Sequence, residues 1–215
     1  MLQSATTTVL IDAGPDLRAQ LLGAGVGHLD AVLLTHDHAD HTHGLDELRV
    51  VSMNMGRPVP VYADASCLAT ITSRFHYAFN IDDQYYKPFV IGTSFDVGDD
   101  ITIGDLTISS FVQDHGNSFS CGFRVADFAY STDVSDLDDE AFDALAGVTL
   151  WIVDALQMKE HPTHTHLAKT LQWIDRVGPT KAILTHMAGG MDYGELIRIL
   201  PTGVKPGFDG MTFEV

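Results

Sequence analysis

LLTHDHADHTHGLDEL, residues 33–48, places four histidines and four acidic residues in sixteen positions, directly after an apolar run. The segment AVLLTH at 31–36 reads as a buried strand. Imidazoles and carboxylates crowded at a strand end make poor core, and a positive ion among them explains the crowding. His36 and His38 are two residues apart, so on an extended strand end they point the same way. Asp40 and His41 follow where the chain turns into a helix and aim at a neighbouring point. Three imidazoles and a carboxylate exceed what one four-coordinate ion with an open position needs, and they suit half of a two-metal site. Imidazole with carboxylate selects Zn²⁺, Mn²⁺ or Fe²⁺, and the lack of nearby cysteine argues against a purely structural zinc.

The other ligands must come from elsewhere. His115 in VQDHGNS follows a strand, Asp133 in FAYSTDVS ends one, and His186 in KAILTHMAGG repeats the apolar-run, Thr, His form of the first cluster. Each alone reads equally well as a satisfied polar residue at a strand end. Together they supply the missing donors, including a carboxylate able to bridge two ions.

Around these residues, short apolar runs alternate with helical patterns. Strands are expected at 7–14, 31–36 and 58–63, helices at 15–25, 42–53 and 64–75, with Asp64 or Ser66 as the cap of the last. FHYAFNIDDQYYKPFV (75–90) has no clean period and reads as a surface excursion. Its Phe75, Tyr77, Phe79, Tyr85 and Tyr86 either stack on a substrate or fasten the loop to the core. Strand-sized pieces follow near 95–97, 101–103, 106–112, 119–126 and 128–131. Then come helix 136–146, strand 148–153, helix 165–177, strand 181–185, helix 192–199 and a last strand pair near 204–214. Asp12, His36, His115, Asp133, Asp154 and His186 all fall at strand ends, where side chains of neighbouring strands converge on one crevice in layered α/β folds.

The 215 residues carry 12 Lys+Arg against 29 Asp+Glu, a formal charge of −17. Without a run of Lys or Arg, such a surface repels long nucleic acid. No apolar stretch is long enough to cross a bilayer, and MLQSATTTVLID is not a secretory signal, so a cytoplasmic protein with no membrane partner is expected. Cys67 and Cys121 then read as two reduced, buried thiols.

The ordered set Asp12, H-x-H-x-D-H at 36–41, His115, Asp133 and His186 resembles the metallo-β-lactamase superfamily over nearly the whole chain. The resemblance implies an α/β fold, an αββα sandwich of two mixed β-sheets flanked by helices, in a single domain over 1–215. Set against the resemblance, the usual N-terminal segment with which relatives begin is expected to be lacking, and a homodimer is one way to cover the surface that would leave. By position, His36, His38 and His115 would hold one ion, Asp40, His41 and His186 the other, and Asp133 would bridge. Asp12 would orient the ligand loop. In HPTHTHLAKTLQWI (161–174), His164 lies twenty-two residues before His186 and resembles the extra histidine of the phosphodiesterase branch. His161 and His166 flank it. With PVYAD, STDVSDL and HPTH, the chain looks closest to the cyclic phosphodiesterases associated with carbon–phosphorus lyase, near the tRNA 3′-processing endonucleases, whose RNA-clasping arm it lacks.

The expected activity is therefore hydrolysis of a phosphodiester, a small cyclic phosphate or nucleotide, by hydroxide generated at two divalent ions (Zn²⁺ or Mn²⁺). Asp40 or Asp133 would take the water's proton, and His164 would protonate the leaving oxygen. The competing expectations are a thioesterase or lactonase on the same metals, and a catalytically silent metal-binding protein.

Overall fold

A computed structural model of the chain describes residues 1–79 and 87–214. In chain order its strands are β1 (Leu2–Gln3), β2 (Thr8–Ile11), β3 (Ala31–Leu33), β4 (Val59–Asp64), β5 (Val90–Phe95), β6 (Asp100–Ile103), β7 (Leu106–His115), β8 (Ser118–Val125), β9 (Phe128–Ser131), β10 (Leu150–Asp154), β11 (Lys181–Thr185) and β12 (Val204–Pro206). The helices are α1 (Leu17–Ala24), α2 (Ala39–Thr42), α3 (Leu48–Met55), α4 (Ala65–Arg74), α5 (His76–Phe79), α6 (Asp139–Ala144), α7 (Leu167–Val177) and α8 (Tyr193–Ile199), with a 3₁₀ turn at Leu45–Glu47. One sheet runs β1-β2-β3-β4-β5, and a second runs β12-β11-β10-β9-β8-β7-β6. Both are mixed. In the first, only β1–β2 is antiparallel; in the second, β9 to β12 run parallel while β7–β8 and β8–β9 are antiparallel. These are the two mixed, helix-flanked sheets that the resemblance implies.

The chain divides into two compact units, Met1–Thr107 and Ile108–Val215, and each buries a core of its own. In the first, Val32 and Leu34 from the β3 run meet Val59, Val61 and Ala63 of β4, with Leu17 and Leu21 of α1, Leu48 and Val51 of α3, and Ile71 of α4. A parallel strand between two neighbours is buried on both faces, which is why β3 reads as uninterrupted apolar residues. In the second, Trp151 and Val153 of β10 pack with Ala182 and Leu184 of β11, Trp173 of α7 and Phe142 of α6. Trp151 settles its buried N–H by donating to Ser131 Oγ at 3.0 Å.

Local chemistry sets the ends of the elements. The Asp64 carboxylate accepts from the amides of Ser66 and Cys67 and caps α4. The aromatic stretch after it divides. Phe75 and Phe79 are buried in the core of the first unit, and Tyr77 is exposed. Tyr85 and Tyr86 lie outside the described residues. β5 begins at Val90, inside the stretch read as an excursion and ahead of the strand expected at 95–97. It is an edge strand whose residues 91–94 are exposed, so it shows no apolar period, and its existence rests on six parallel pairs with β4. The strand pair expected at 204–214 reduces to β12 alone among the described residues. Cys67 and Cys121 are both buried. No helix of the described residues is long and apolar enough to cross a membrane.

Candidate functional site

The residues singled out in the sequence stand at or just past strand ends: Asp12 after β2, His36 after β3, His115 closing β7, Asp133 after β9, Asp154 closing β10 and His186 after β11. Three of them have left-handed backbone, with φ of 60° at Asp12, 53° at Asp133 and 55° at His186; the only other non-glycine residue of that kind among those described is Ala126. Such a conformation costs an L-residue of order 1–3 kcal/mol and persists only where the surroundings over-determine it. Here it turns a carboxylate or imidazole sharply off the end of its strand.

In the first unit, Asp12 organises the histidine loop. Its carboxylate accepts from the Thr35 amide at 2.8 Å and from Thr35 Oγ1 at 2.9 and 3.1 Å, and it meets His41 Nδ1 at 2.7 Å. The Thr35 hydroxyl, having given its hydrogen to Asp12, accepts from His36 Nδ1 at 3.0 Å. These bonds assign the Nδ1–H tautomer to His36 and His41 and make Nε2 the lone-pair nitrogen of both. The rings of His38 and His41 each lie 4.4 Å from that of His36, centroid to centroid. His41 Nε2 and Asp40 Oδ2 are 3.4 Å apart, and donor atoms of His36 and His38 also come within 4.8 Å of each other.

Two glycines let the Asp12 loop lie against this one. The Ala13 amide donates to the His41 carbonyl and the Gly44 amide to the Ala13 carbonyl, each at 2.7 Å. A Cβ on Gly44 would sit 2.0 Å from the Gly14 carbonyl oxygen, and one on Gly14 would sit 2.4 Å from that of Asp40. Gly44→Ala is therefore expected to lower stability by about 1–3 kcal/mol through forced backbone shifts and to weaken metal retention along with it. Thermal melting and elemental analysis check both effects.

In the second unit, Asp133 is the focus. Its side chain is 2% exposed, and Thr132 Oγ1 donates to its Oδ2 at 2.7 Å. Its Oδ1 lies 3.8 Å from His115 Nε2 and 3.7 Å from His164 Nε2, while Oδ2 lies 3.5 Å from His186 Nδ1. His115 Nδ1 donates to the Thr163 carbonyl at 2.7 Å, which again leaves Nε2 as the lone-pair nitrogen. His164 Nδ1 meets Asp154 Oδ2 at 3.1 Å, and its ring stacks on His186 with centroids 5.0 Å apart and planes 9° apart. Burial pushes the Asp154 carboxyl up; the hydrogen bond from His164, the charges of His186 and His164, and the Val134 amide pull it back.

These spacings fit a divalent transition ion. Two donors bonded at about 2.1 Å and subtending a tetrahedral angle lie about 3.4 Å apart. The His41–Asp40 and Asp133–His186 pairs stand at that separation, and the Asp133–His115 and Asp133–His164 pairs slightly beyond it. The donor set, neutral imidazoles with buried or loop carboxylates, is the chemistry such ions select. His164 sits as close to Asp133 as His115 does, and only its pairing with Asp154 sets it apart. Asp154 was legible as a strand-end acid in WIVDAL, but its grip on His164 was not. The carbonyl of Thr163 and the hydroxyls of Thr35 and Thr132 carry no signature in the sequence. His161 makes a local turn with Thr163 and stands 5.2 Å from the His164 ring, and His166 is the N-cap residue just before α7.

Residues 7–187 match the beta-lactamase superfamily domain, and the chain belongs to that family, the metallo-β-lactamase fold. Among its structural relatives, a diphosphatase of the PhnP family is 30% identical, with a TM-score of 0.91 over 99% of this chain and 82% of that one. Human short-form tRNase Z shares the fold at 16% identity and a TM-score of 0.73, covering 98% of this chain and 89% of that one. An octanoyltransferase of Porphyromonas gingivalis is 32% identical over 98% of this chain and 43% of its own length. A ribonuclease Z of Methanopyrus kandleri is 32% identical over 54% of this chain and 39% of its own length. The chain thus spans less than half the length of the curated relatives it matches. The family match and the two mixed, helix-flanked sheets bear out the family and the fold expected from the resemblance.

Proposed function

We propose that the protein is a two-metal phosphodiesterase acting on a small cyclic phosphate or nucleotide. In this reading His36, His38 and His115 hold one divalent ion, Zn²⁺ or Mn²⁺, Asp40, His41 and His186 hold the other, and Asp133 serves both. Bound there, the ions would supply Lewis acidity, offsetting the charge of the phosphoryl oxygens and acidifying a water. The chain's own residues do the rest. Asp12, Thr35 and the Thr163 carbonyl hold three imidazoles with Nε2 forward. Asp40 or Asp133 accepts the proton of the attacking water. His164, oriented through Nδ1 by Asp154, gives a proton from Nε2 to the leaving oxygen.

The observation that carries this reading is the His164–Asp154 pair beside Asp133, in a chain 30% identical to a PhnP-family diphosphatase. A second reading, thioester or lactone hydrolysis on the same metals, draws on a relative of 32% identity named as an acyl-transfer protein, an octanoyltransferase of which this chain spans 43%. Bis-p-nitrophenyl phosphate, a lactone and an octanoyl thioester, each assayed with and without EDTA, separate the two. The phosphodiesterase reading expects EDTA-sensitive cleavage of the first and little of the others. Thioester or lactone cleavage without diester cleavage would overturn it, and metal bound without turnover on any substrate would favour a silent binding protein.

A further inference from the structure

Beside the exposed His38 lies an open pocket of about 620 Å³, lined by His38, Ala39, His43, Asp46, Arg74 and Phe75. A group held at the His36–His38 side of the site borders it directly, so the part of a substrate beyond the reacting atom has this space available. Four of the six lining residues carry polar heads, two imidazoles, a carboxylate and a guanidinium, beside the apolar surface of Ala39 and Phe75. That is the wrong surface for an eight-carbon acyl chain, which would leave these groups desolvated and unsatisfied.

Arg74, one of 12 cations in a chain of charge −17, is the last residue of α4. It is fixed rather than waving. One guanidinium nitrogen donates to the Asp37 carbonyl and another meets Asp37 Oδ2 at 3.1 Å. Arginine has five N–H donors in a rigid fork, so donors beyond these two remain for a ligand. A guanidinium oriented in advance is the side chain suited to a phosphate's paired oxygens. Asp37 and Asp46 flank it and keep the pocket from being uniformly positive, which disfavours a bare anion. Asp46 is held by the hydroxyl of Tyr77. Burial first, then the bond to and charge of Asp46, push that hydroxyl up to about 12, so it stays a donor. The Asp46 carboxylate keeps acceptor capacity for ligand hydroxyls.

We propose, building on the phosphodiesterase reading, that this pocket receives a second phosphate and its attached sugar, with Arg74 on the phosphate and Asp46 on sugar hydroxyls. The substrate class is then a nucleoside diphosphate derivative rather than a plain diester, and Arg74 determines that preference.

The test compares wild type, Arg74→Ala and Arg74→Lys on ADP-ribose and on bis-p-nitrophenyl phosphate. ADP binding to the metal-loaded proteins is measured by calorimetry, with metal content determined for each. Loss of one charged contact is expected to raise KM for ADP-ribose, and Kd for ADP, roughly 10- to 100-fold in Arg74→Ala. The change for bis-p-nitrophenyl phosphate should be at least ten times smaller, and lysine should restore only part of the loss. Equal losses on both substrates, or loss of metal, would overturn the proposal and leave Arg74 as a brace for the Asp37 loop. Diester cleavage with neither ADP-ribose turnover nor ADP binding would overturn it while sparing the phosphodiesterase reading. ADP binding that depends on Arg74, without cleavage of either substrate, would support the pocket and sink the phosphodiesterase reading instead.

Discussion

Asp133→Asn is expected to strip the protein of most of its bound divalent metal and to reduce diester turnover by more than the roughly 100-fold that loss of an outer-shell partner costs. Asparagine is close in size and tolerates the left-handed backbone of this position (φ 53°), so the folded chain should survive with its charge removed. That charge is what the surrounding imidazoles lack: Asp133 faces His115, His164 and His186 at 3.5 to 3.8 Å. In the proposed arrangement it is also the one donor shared by both ions. Elemental analysis after metal-replete expression, with circular dichroism to verify folding, measures the effect. A folded Asp133→Asn protein with undiminished metal would remove Asp133 from the ligand set.

The second large effect belongs to His164. His164→Ala is expected to lower kcat by about 10²–10⁴-fold, the usual worth of a positioned proton donor, while metal content stays at the wild-type level. Asp154→Asn should act in the same direction but less, about 10- to 100-fold, because it leaves the imidazole in place and loosens only its orientation and tautomer. Asp154 grips His164 Nδ1 at 3.1 Å and so fixes the ring with Nε2 toward Asp133. Of the histidines proposed as ligands, His115 is braced by the neutral Thr163 carbonyl and His36 by Thr35 Oγ1, whereas His41, like His164, is held by a carboxylate, that of Asp12, so the metal content of His164→Ala decides between the two roles. Loss of metal together with activity in His164→Ala would make His164 a ligand, which its 3.7 Å approach to Asp133 Oδ1 also permits.

How far the sequence reveals these features depends on whether the physics is local. H-x-H-x-D-H announces itself because alternation along a strand end and the turn into a helix are set within six residues. Buried parallel strands such as AVLL and WIVD are legible because both faces need apolar side chains. Asp64 is legible as a cap because capping spans three residues. β5 is not, since an exposed edge strand needs no apolar pattern and exists through its pairing with β4. The braces of the site are equally silent. Thr163 serves through a carbonyl that any residue has, and it reaches a histidine 48 positions away. Asp154 is visible as an acid at a strand end, but its bond to His164 reaches across ten positions of chain that no period describes. Asp12, Asp133 and His186 share a backbone strain that only coordinates reveal.

The central claim is that these histidines and carboxylates exist to hold a pair of divalent ions. Elemental analysis of the purified, metal-replete protein tests it most directly. The account predicts close to two Zn²⁺ or Mn²⁺ per chain, removed by chelator together with activity. A folded, metal-replete preparation carrying none would contradict it.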